Sequence, residues 1–213
     1  MVAGFANSAP NQVLMRFAES ELRRRAESGA RRHRALDLGC GAGRNAVPLE
    51  NLGWEVLGLD NSLAMLRAAQ ARTGTSAGGG GLRLALAAMD HLPVADGSCD
   101  FVIAHGIWNL ARSATEFRAA VGEAARVAAP GAALFVFTFS RNTFSPATAP
   151  VAGEPFVFTQ FSGEPQCFLT EGELLRELSV AGFERDPPGP LTEYNRPAPG
   201  ARRVRRRQCP TGE

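Results

Sequence analysis

Apolar residues follow two spacings along most of this chain, and the two spacings alternate. Short, nearly continuous apolar runs are typical of strands that are covered on both faces, and apolar residues three or four positions apart are typical of helices. Strands that alternate with helices predict an α/β domain with a doubly wound, mostly parallel sheet. The predicted strands are 34–38, 54–60, 82–87, 101–104 and 132–139, with a sixth that begins at Phe183.

Helices are predicted before the first strand and between the later ones. The N-terminal helix spans 11–28 and ends in a run of arginines, which suits the negative end of a helix dipole. A later helix at 170–181 begins with Thr170 and has Glu173 three residues on, the pattern of a capping box. The other predicted helices are 45–51, one that Ser62 caps, and 114–128, which Pro130 and Gly131 would end.

The loop after the first strand carries most of the chemical information. Residues 37–43 read Asp-Leu-Gly-Cys-Gly-Ala-Gly, and Asp60 stands at the carboxyl end of the second predicted strand. Glycines allow a sharp turn and a close approach of the backbone to a ligand, and the carboxylate can accept hydrogen bonds from both ribose hydroxyls. The sequence therefore predicts a site for an adenosine-bearing cofactor at the carboxyl edge of the sheet.

The spacing of the glycines bears on which cofactor this is. Dinucleotide sites have the spacing G-x-G-x-x-G and bind a pyrophosphate at a helix N-terminus. Here the spacing is G-x-G-x-G, and Asp37 stands two residues before the first glycine. An acid at that place suits S-adenosylmethionine (SAM), which carries an ammonium and a sulfonium and no phosphate. A nicotinamide oxidoreductase is the alternative.

Composition narrows the class further. The chain has 213 residues and 45% hydrophobic content, which suffices for one sizeable core. Its four cysteines are scattered without a C-x-x-C pair, so neither a metal cluster nor a disulfide framework is expected. There is no apolar run of membrane-spanning length and no signal peptide. These features predict a cytoplasmic protein without a membrane segment.

Charge is unevenly distributed along the chain. All 23 basic residues are arginines, and residues 196–213 hold six of them with a single acid, a local charge of +5. The rest of the chain therefore carries −3, since the total is +2. No broad basic face for nucleic acid is expected, only a basic tail.

Four motifs in the right order resemble the class I SAM-dependent methyltransferases. Residues 35–43 resemble the first motif of that family, and 92–101 resemble the approach to its fourth strand. Residues 126–132 resemble the turn into its fifth strand, and 169–171 with 181–183 resemble the two ends of the next helix. The resemblance implies a Rossmann-like methyltransferase fold, a SAM cofactor with S-adenosylhomocysteine as its product, and no metal.

The resemblance also implies cofactor contacts, position by position. It implies that the glycine loop lines the methionine part of SAM and that Asp60 holds the ribose hydroxyls. Ala88 and Met89 would flank the adenine, and Asp90 would accept a hydrogen bond from its amino group. The full set of implied cofactor residues is Asp37, Gly39, Gly41, Gly43, Asp60, Asn61, Met65, Ala88, Met89, Asp90 and His105.

The acceptor side of the site is predicted just after the fourth strand. His105 is the best-placed general base if the nucleophile arrives protonated, and otherwise it packs against the cofactor or the backbone. Trp108 either stacks on the substrate or belongs to the core, and Asn109 can orient a nucleophile. Arg141, after the fifth strand, either meets an anionic group or faces water.

Residues 140–168 are predicted to form a cap between the fifth strand and the next helix. A turn signal at 162–165 predicts a short hairpin laid over the active site. An aromatic cap would suit a small, partly apolar substrate, and the alternative is that its rings only bury the hairpin. The rings belong to Phe156, Phe158, Phe161 and Phe168.

The sequence thus predicts one methyltransferase domain at 1–195 and a basic tail at 196–213. Apolar residues are nearly missing after Phe183, which puts the closing seventh strand of the family in doubt. The main hypothesis is a monomeric or homodimeric enzyme that methylates a small molecule by in-line displacement. The alternatives are an RNA or protein methyltransferase and a SAM-binding sensor or scaffold without catalysis.

Overall fold

Five parallel strands form the central sheet of the computed structural model, which describes residues 8–73 and 82–185. Their spatial order is β3-β2-β1-β4-β5, so the order reverses between β1 and β4. Ligands of such sheets bind at the carboxyl edge beside this switch point. The strands are β1 (Arg34–Leu38), β2 (Glu55–Asp60), β3 (Leu82–Leu86), β4 (Cys99–His105) and β5 (Ala128–Phe137).

The helices lie close to where the sequence predicts them. At the start of the last one, the Thr170 hydroxyl accepts from the Glu173 N–H, and the Glu173 carboxylate accepts from the Thr170 N–H, so the predicted capping box is confirmed. The helices are α1 (Gln12–Glu27), α2 (Ala46–Leu52), α3 (Leu63–Thr73), α4 (Ala114–Val127) and α5 (Glu171–Val180). Short 3-10 turns occur at Trp108–Leu110 and Arg141–Thr143.

Each face of the sheet has its own apolar core, because successive side chains of a strand point to opposite faces. On one face, Phe101 and Ile103 of β4 pack in a cluster with Leu14 of α1. On the other face, Val102 packs in a cluster with Phe117 of α4. Helices therefore cover both faces, and the predicted doubly wound, mostly parallel α/β fold is confirmed.

The predicted end of α4 at residue 128 is confirmed within one residue, but Pro130 and Gly131 lie inside β5 rather than in a turn before it. The helix ends at Val127 because Ala128 already has an extended backbone, and β5 begins there. The pairing register of β4 and β5 shifts between Cys99 and Phe101, so the proline and glycine lie in an irregular first part of β5. Proline is tolerated at such a place, since no regular ladder bond needs its missing N–H.

The predicted strand that begins at Phe183 is also wrong at its start. The N–H of Phe183 donates to the carbonyl of Leu178 at 3.0 Å, which keeps this residue on the end of α5. Gly182 before it has a φ of 94°, the left-handed conformation that commonly terminates helices. The doubted seventh strand and the tail at 196–213 lie outside the described residues.

The cap segment contains the expected hairpin. Its two short strands, β6 (Val157–Phe158) and β7 (Gln166–Cys167), pair in antiparallel fashion. Three of the four cap phenylalanines are buried, and the fourth, Phe161, is 54% exposed. The buried rings pack with aromatic neighbours such as Phe139 and Phe144, so they hold the hairpin in place.

Candidate functional site

A cavity of about 540 Å³ opens at the carboxyl edge of the sheet, beside the switch point. Its walls come from the ends of β1 and β2, the segments after β3 and β4, the start of α4 and the turn of the cap hairpin. It brings together six predicted cofactor residues: Gly39, Asp60, Asn61, Ala88, Met89 and Asp90. The other lining residues are Leu38, Leu59, Ala87, Leu92, Ile107, Leu110, Arg112, Glu116, Glu164, Pro165 and Gln166.

Asp60 is held rigidly at the end of β2. Its Oδ2 accepts from the N–H of Gly41 at 2.9 Å, and its Oδ1 accepts from the N–H of Ser62 at 2.8 Å. A carboxylate oxygen can accept more than one hydrogen bond, so both oxygens keep capacity for a ligand. The carboxylate is thus preorganised to accept from a pair of vicinal hydroxyls in the cavity.

The glycine loop follows β1 and depends on left-handed backbone conformations. Gly39, Gly41 and Gly43 have φ values of 64°, 55° and 74°, which side-chain-bearing residues rarely adopt. A Cβ on Gly39 would stand 2.6 Å from Cδ1 of Ile107, so any side chain here would collide with the Ile107 side chain. The loop therefore presents bare backbone to the site.

The wall after β3, residues 88–96, is fastened to α4; we call it the β3 wall. The Glu123 carboxylate accepts from the N–H of Leu92 at 2.7 Å. The Arg126 guanidinium donates to the carbonyls of Leu92 and Val94 and pairs with Glu123. Hydrogen bonding from Arg126 lowers the pKa of Glu123 to about 2. This side of the cavity is consequently fixed by paired charges.

On the opposite side of the glycine loop lies a group of polar side chains, which we call the polar cluster: Asn11, Asp37, Arg44, Asn45 and His105. Asp37 is 2% exposed, and its Oδ2 has no hydrogen-bond partner among the described residues. Burial raises its pKa to about 7, against the opposing charge of Arg44 and with a smaller contribution from Asp60. A buried carboxylate without a partner is costly and marks a place where a cationic group would be favourable.

His105 closes the polar cluster at the end of β4. Its ring stacks on Phe137 with 4.7 Å between ring centroids. Nη2 of Arg44 lies 3.2 Å from its Nδ1, and Nδ2 of Asn11 lies 3.0 Å from its Nε2. Burial, with a further contribution from the charge of Arg44, lowers the pKa of His105. Both ring nitrogens thus face protein groups, and His105 does not line the cavity.

The predicted acceptor residues lie away from the cavity surface. Trp108 and Asn109 are 0% and 2% exposed, and Trp108 packs edge-on against Phe117. The Arg141 guanidinium donates to backbone carbonyls of the cap and lies 4.7 Å above the ring of Phe158. Trp108 and Asn109 are therefore buried, and Arg141 is bound to the cap. Their contacts with a substrate stay predictions.

Four further cofactor residues predicted from the sequence lie outside the cavity lining: Asp37, Gly41, Gly43 and Met65. The first three shape the glycine loop, and Met65 lies in the first turn of α3. Sequence reasoning missed Asn11 and Arg44, whereas Ile107 lies in the segment after the fourth strand where the acceptor side was predicted. A cap signal at Asn11 and the place of Arg44 directly after Gly43 were visible, but their meeting at His105 depends on the packing of α1.

Neither a metal-binding group nor a membrane-spanning helix is present among the described residues. No group of three or more His, Cys, Asp or Glu side chains there has the arrangement needed to hold a metal ion. No helix in the described part of the chain combines the length and hydropathy that crossing a bilayer requires. Cys40, Cys99 and Cys167 are buried free thiols, and Cys209 lies outside the described part.

The sheet order and the cavity beside the glycine loop together define a doubly wound α/β protein with a candidate site at the switch point of its sheet. Residues 36–136 match a family model described as a methyltransferase domain. The chain is 32% identical over 168 residues to a demethylmenaquinone methyltransferase of Corynebacterium urealyticum, and the match covers 71% of this chain and 67% of that protein. The chain belongs to the class I SAM-dependent methyltransferases.

Further comparisons agree with this family. A demethylmenaquinone methyltransferase of Renibacterium salmoninarum is 31% identical over 149 residues, which are 67% of this chain and 59% of that protein. This chain therefore spans less than two thirds of that relative. A SAM-dependent methyltransferase structure from Methanosarcina mazei has a TM-score of 0.59 at 23% identity, covering 73% of this chain and 81% of its own. The PH0226 protein from Pyrococcus horikoshii has a TM-score of 0.57 at 22% identity, covering 82% and 83%, and both structures share the fold.

Proposed function

We propose that this protein transfers the methyl group of SAM to a small-molecule acceptor by in-line displacement. The observation that carries the proposal is the cavity at the switch point, in which Asp60 is preorganised beside Gly39 and the β3 wall. The sulfonium of SAM supplies an activated methyl group. The enzyme's own residues then align the reactants and exclude water.

The residues of the site fit SAM group by group. Asp60 would accept from the ribose hydroxyls, and Ala88–Asp90 would surround the adenine. Asp37, which is buried and has an unpartnered oxygen, would accept from the ammonium of the methionine part. The acceptor would enter from the side of the segment after β4 and the turn of the cap.

Two observations favour a small acceptor. The two curated relatives quoted above are named for demethylmenaquinone, a small molecule, and the cap hairpin narrows the site with the turn residues Glu164, Pro165 and Gln166. The aromatic rings of the cap are mostly buried in the hairpin, so the acceptor would meet this turn and Leu110. A cytoplasmic location is part of the same proposal.

Cofactor choice is tested by calorimetry with SAM, S-adenosylhomocysteine and NAD. Binding of the first two with no binding of NAD is expected, because the loop has no third glycine spaced for a pyrophosphate. NAD binding without SAM binding would overturn the proposal.

Asp60→Ala tests the ribose contact. Loss of two hydrogen bonds to a charged group should weaken S-adenosylhomocysteine binding by about 3 kcal/mol, roughly a hundredfold. Glu19→Gln, at an exposed position of α1, is the control and should bind like the wild type. Equal affinity of Asp60→Ala and wild type would show that the ribose lies elsewhere.

Turnover tests the acceptor. Release of S-adenosylhomocysteine is measured with a short-chain demethylmenaquinone and with a panel of small hydroxyl, amine and thiol acceptors. Turnover of one small molecule, retained after deletion of residues 196–213, is the expected result. Tight SAM binding with slow turnover on every small acceptor would favour the sensor, and turnover only on RNA or protein would favour the macromolecular alternative.

A further inference from the structure

A second cavity, of about 310 Å³, lies at the amino edge of the sheet, and we call it the amino-edge cavity. Ala35 and Leu57 line it near the starts of β1 and β2. Leu38 and Leu59 line the cofactor cavity at the other ends of the same two strands. The two cavities are therefore separate, and the proposed function uses only one of them.

The amino-edge cavity exists because one connection between strands has no helix. Parallel strands are usually joined by a helix that covers one face of the sheet. Residues 87–98 lead from β3 over β2 and β1 to β4 and contain no helix. Pro93 and Val94 of this connection form one wall of the cavity. The connection thus leaves a gap over the starts of the strands, at the lower end of the range of about 300–1,000 Å³ that is typical of ligand pockets.

Two arginines reach the amino-edge cavity from the strands on either side of β2. Arg34 begins β1, and Arg83 is the second residue of β3. Residues two positions apart on a strand share a face, and the residues two positions further on, Leu36 and Ala85, pack in the core on the α4 face. Both arginine side chains therefore leave the sheet on the face where the cavity lies.

Neither guanidinium is well paired. Nε of Arg34 lies 3.8 Å from Oε2 of Glu55, which is beyond hydrogen-bond distance, and this buried N–H has no hydrogen-bond partner among the described residues. The Arg83 guanidinium has neither a hydrogen bond nor an ion pair within residues 8–73 and 82–185. A buried N–H without an acceptor is costly, so an acceptor from a ligand is favourable here.

The lining of the amino-edge cavity specifies the chemistry of that ligand. Its two guanidinium groups and the Glu55 carboxylate give a net charge of +1, and Leu57, Val94 and the buried thiol Cys99 supply apolar surface. A guanidinium matches a carboxylate through two parallel hydrogen bonds. An organic monoanion with an apolar body fits this lining better than phosphate, which has no apolar surface and brings more negative charge next to Glu55.

The β3 wall separates the amino-edge cavity from the cofactor cavity. Leu92 lines the cofactor cavity, and Pro93 and Val94 line the amino-edge cavity. The Arg126 guanidinium donates to the carbonyls of both Leu92 and Val94, so the two sides of this wall are held together. A ligand that packs against Val94 restrains the same backbone that borders the cofactor cavity.

We propose that the amino-edge cavity binds a small organic carboxylate between Arg34 and Arg83, and that its occupation strengthens cofactor binding through the β3 wall. The apolar body of the ligand packs on Leu57 and Val94. Carboxylate binding does not depend on the proposed function, whereas the coupling rests on it, since it assumes that SAM fills the cofactor cavity. By linkage, each ligand raises the affinity of the other by the same factor.

The first experiment uses benzoate as the probe and benzyl alcohol as its uncharged counterpart of similar shape. Two-dimensional ¹H–¹⁵N NMR of the full chain locates the binding. We expect benzoate to shift the amide signals of Leu57, Val94 and Ser98 with a dissociation constant on the order of 1 mM, with and without S-adenosylhomocysteine. Benzyl alcohol should bind at least about 10-fold more weakly, because it offers no charged acceptor to the guanidinium groups.

Arginine variants test the two cations separately. Arg34→Gln and Arg83→Gln should each weaken benzoate binding about 5- to 10-fold, because each removes one charge-assisted hydrogen-bond donor. Arg31→Gln is the matched control, since it removes the same charge from an exposed position just before β1 and outside the cavity lining. It should bind benzoate like the wild type, and circular dichroism should show an intact fold for all three variants.

Calorimetry of S-adenosylhomocysteine at saturating benzoate tests the coupling. Its affinity should rise about 2- to 5-fold in the wild type, and Arg83→Gln should lose this gain at the same benzoate concentration. An unchanged affinity in the wild type would overturn the coupling. Wild-type protein that binds benzoate but not S-adenosylhomocysteine would sink the proposed function and leave the carboxylate site standing.

Three other results would overturn the carboxylate site itself. The first is a set of shifted signals confined to the cofactor cavity, and the second is equal affinity for benzoate and benzyl alcohol. The third is equal weakening by Arg31→Gln and Arg83→Gln, which would show that only the overall charge matters. Inorganic phosphate that shifts the same signals while benzoate does not would overturn the assignment to a ligand with an apolar body.

Discussion

The β3 wall and the polar cluster flank the same glycine loop and differ in how well their polar groups are satisfied. In the β3 wall, Arg126 and Glu123 bind each other and the backbone of Leu92 and Val94. In the polar cluster, Asp37 has an unpartnered oxygen and His105 faces two donors. The charged groups that hold the β3 wall therefore have partners within the protein, whereas the polar cluster keeps a carboxylate oxygen without one.

The difference follows the chemistry of the proposed cofactor. Adenine is neutral and planar, so it needs no opposite charge from the protein. A rigid wall whose charged groups, Glu123 and Arg126, pair with each other is enough to recognise it. The methionine end carries an ammonium and a carboxylate, so the protein must offer the opposite charges there, and those charges lack partners until the ligand supplies them. Unsatisfied buried groups at a functional site are thus a cost in stability that binding recovers.

Of the two regions, the polar cluster gives the larger expected effect, through its buried carboxylate. Asp37→Asn should weaken S-adenosylhomocysteine binding about 10- to 100-fold, because the ligand ammonium loses its charged partner. The same variant should be more stable than the wild type at pH 8. Calorimetry gives the affinity, and urea unfolding at pH 5 and pH 8 gives the stability.

The sign of the stability change follows from the raised pKa of Asp37, about 7 in the folded protein against 3.8 for a free side chain. Between these values the folded state binds more protons than the unfolded state, so wild-type stability falls as pH rises. The penalty is complete above about pH 7, and asparagine lacks it. A variant that is less stable than the wild type at pH 8 and keeps its affinity would contradict this account of the polar cluster.

The β3 wall should respond to acid in the opposite direction. The pKa of Glu123 is lowered from 4.5 to about 2, first by hydrogen bonding from Arg126 and further by the Leu92 N–H and His91. Its contribution to stability is therefore present above about pH 4.5 and is lost as the pH falls toward 2. Glu123→Gln should be less stable than the wild type at pH 6, and this difference should shrink as the pH falls to 3, measured by urea unfolding.

Ligand binding distinguishes this variant from Asp37→Asn. A loosened β3 wall should weaken S-adenosylhomocysteine and 5′-methylthioadenosine by the same few-fold factor, since both ligands carry adenine. Asp37→Asn should leave 5′-methylthioadenosine unchanged, because that ligand has no amino-acid end. If Glu123→Gln weakened S-adenosylhomocysteine alone, the assignment of the β3 wall to adenine would be wrong.

Local sequence signals predicted the sheet, the helices and six of the residues that line the cavity. Periodic apolar positions show which face of a strand or helix is buried. The glycine loop and Asp60 stand at a spacing typical of a cofactor site. Both signals can be read from the sequence alone. The start of β5 was predicted at residue 132 rather than at Ala128 because Pro130 and Gly131 are strong breakers, yet β5 accommodates them in an irregular register with β4. Pairing register is a tertiary property that no local pattern encodes.

The polar cluster was predicted only in part for a similar reason. Asp37 was found as a member of the first motif and His105 by its place after the fourth strand, but Asn11 and Arg44 acquire their importance by meeting His105 across 94 and 61 residues of sequence. Trp108 and Asn109 show the same limit of local sequence patterns. Their position after β4 can be read from the sequence, but the burial of their side chains cannot. Which side of a strand end faces a ligand depends on the helices that cover it.

Substitution of His105 is expected to have the smallest effect on turnover and binding. It tests directly whether the polar cluster positions its groups or takes part in catalysis. Gln at this position keeps an acceptor for Arg44 and removes the only group at the end of β4 that can take up a proton near neutral pH. We expect His105→Gln to lower kcat less than tenfold with a small-molecule acceptor and to keep S-adenosylhomocysteine affinity within about threefold, because positioning is largely preserved.

The pH profile decides between this role and a general base. Burial and the charge of Arg44 lower the pKa of His105, so the imidazole is already neutral at pH 7, and no His105 limb should appear in kcat above that pH. A catalytic base would instead lose about 100-fold or more in kcat on substitution and would carry an acid limb that the variant lacks. Since the two ring nitrogens face Arg44 and Asn11, a proton from the acceptor reaches a free lone pair only if one of these two donors first moves away. A general-base role for His105 would therefore require Arg44 or Asn11 to give up its contact with the ring, and Arg44→Gln combined with His105→Gln measures whether Arg44 and His105 depend on each other.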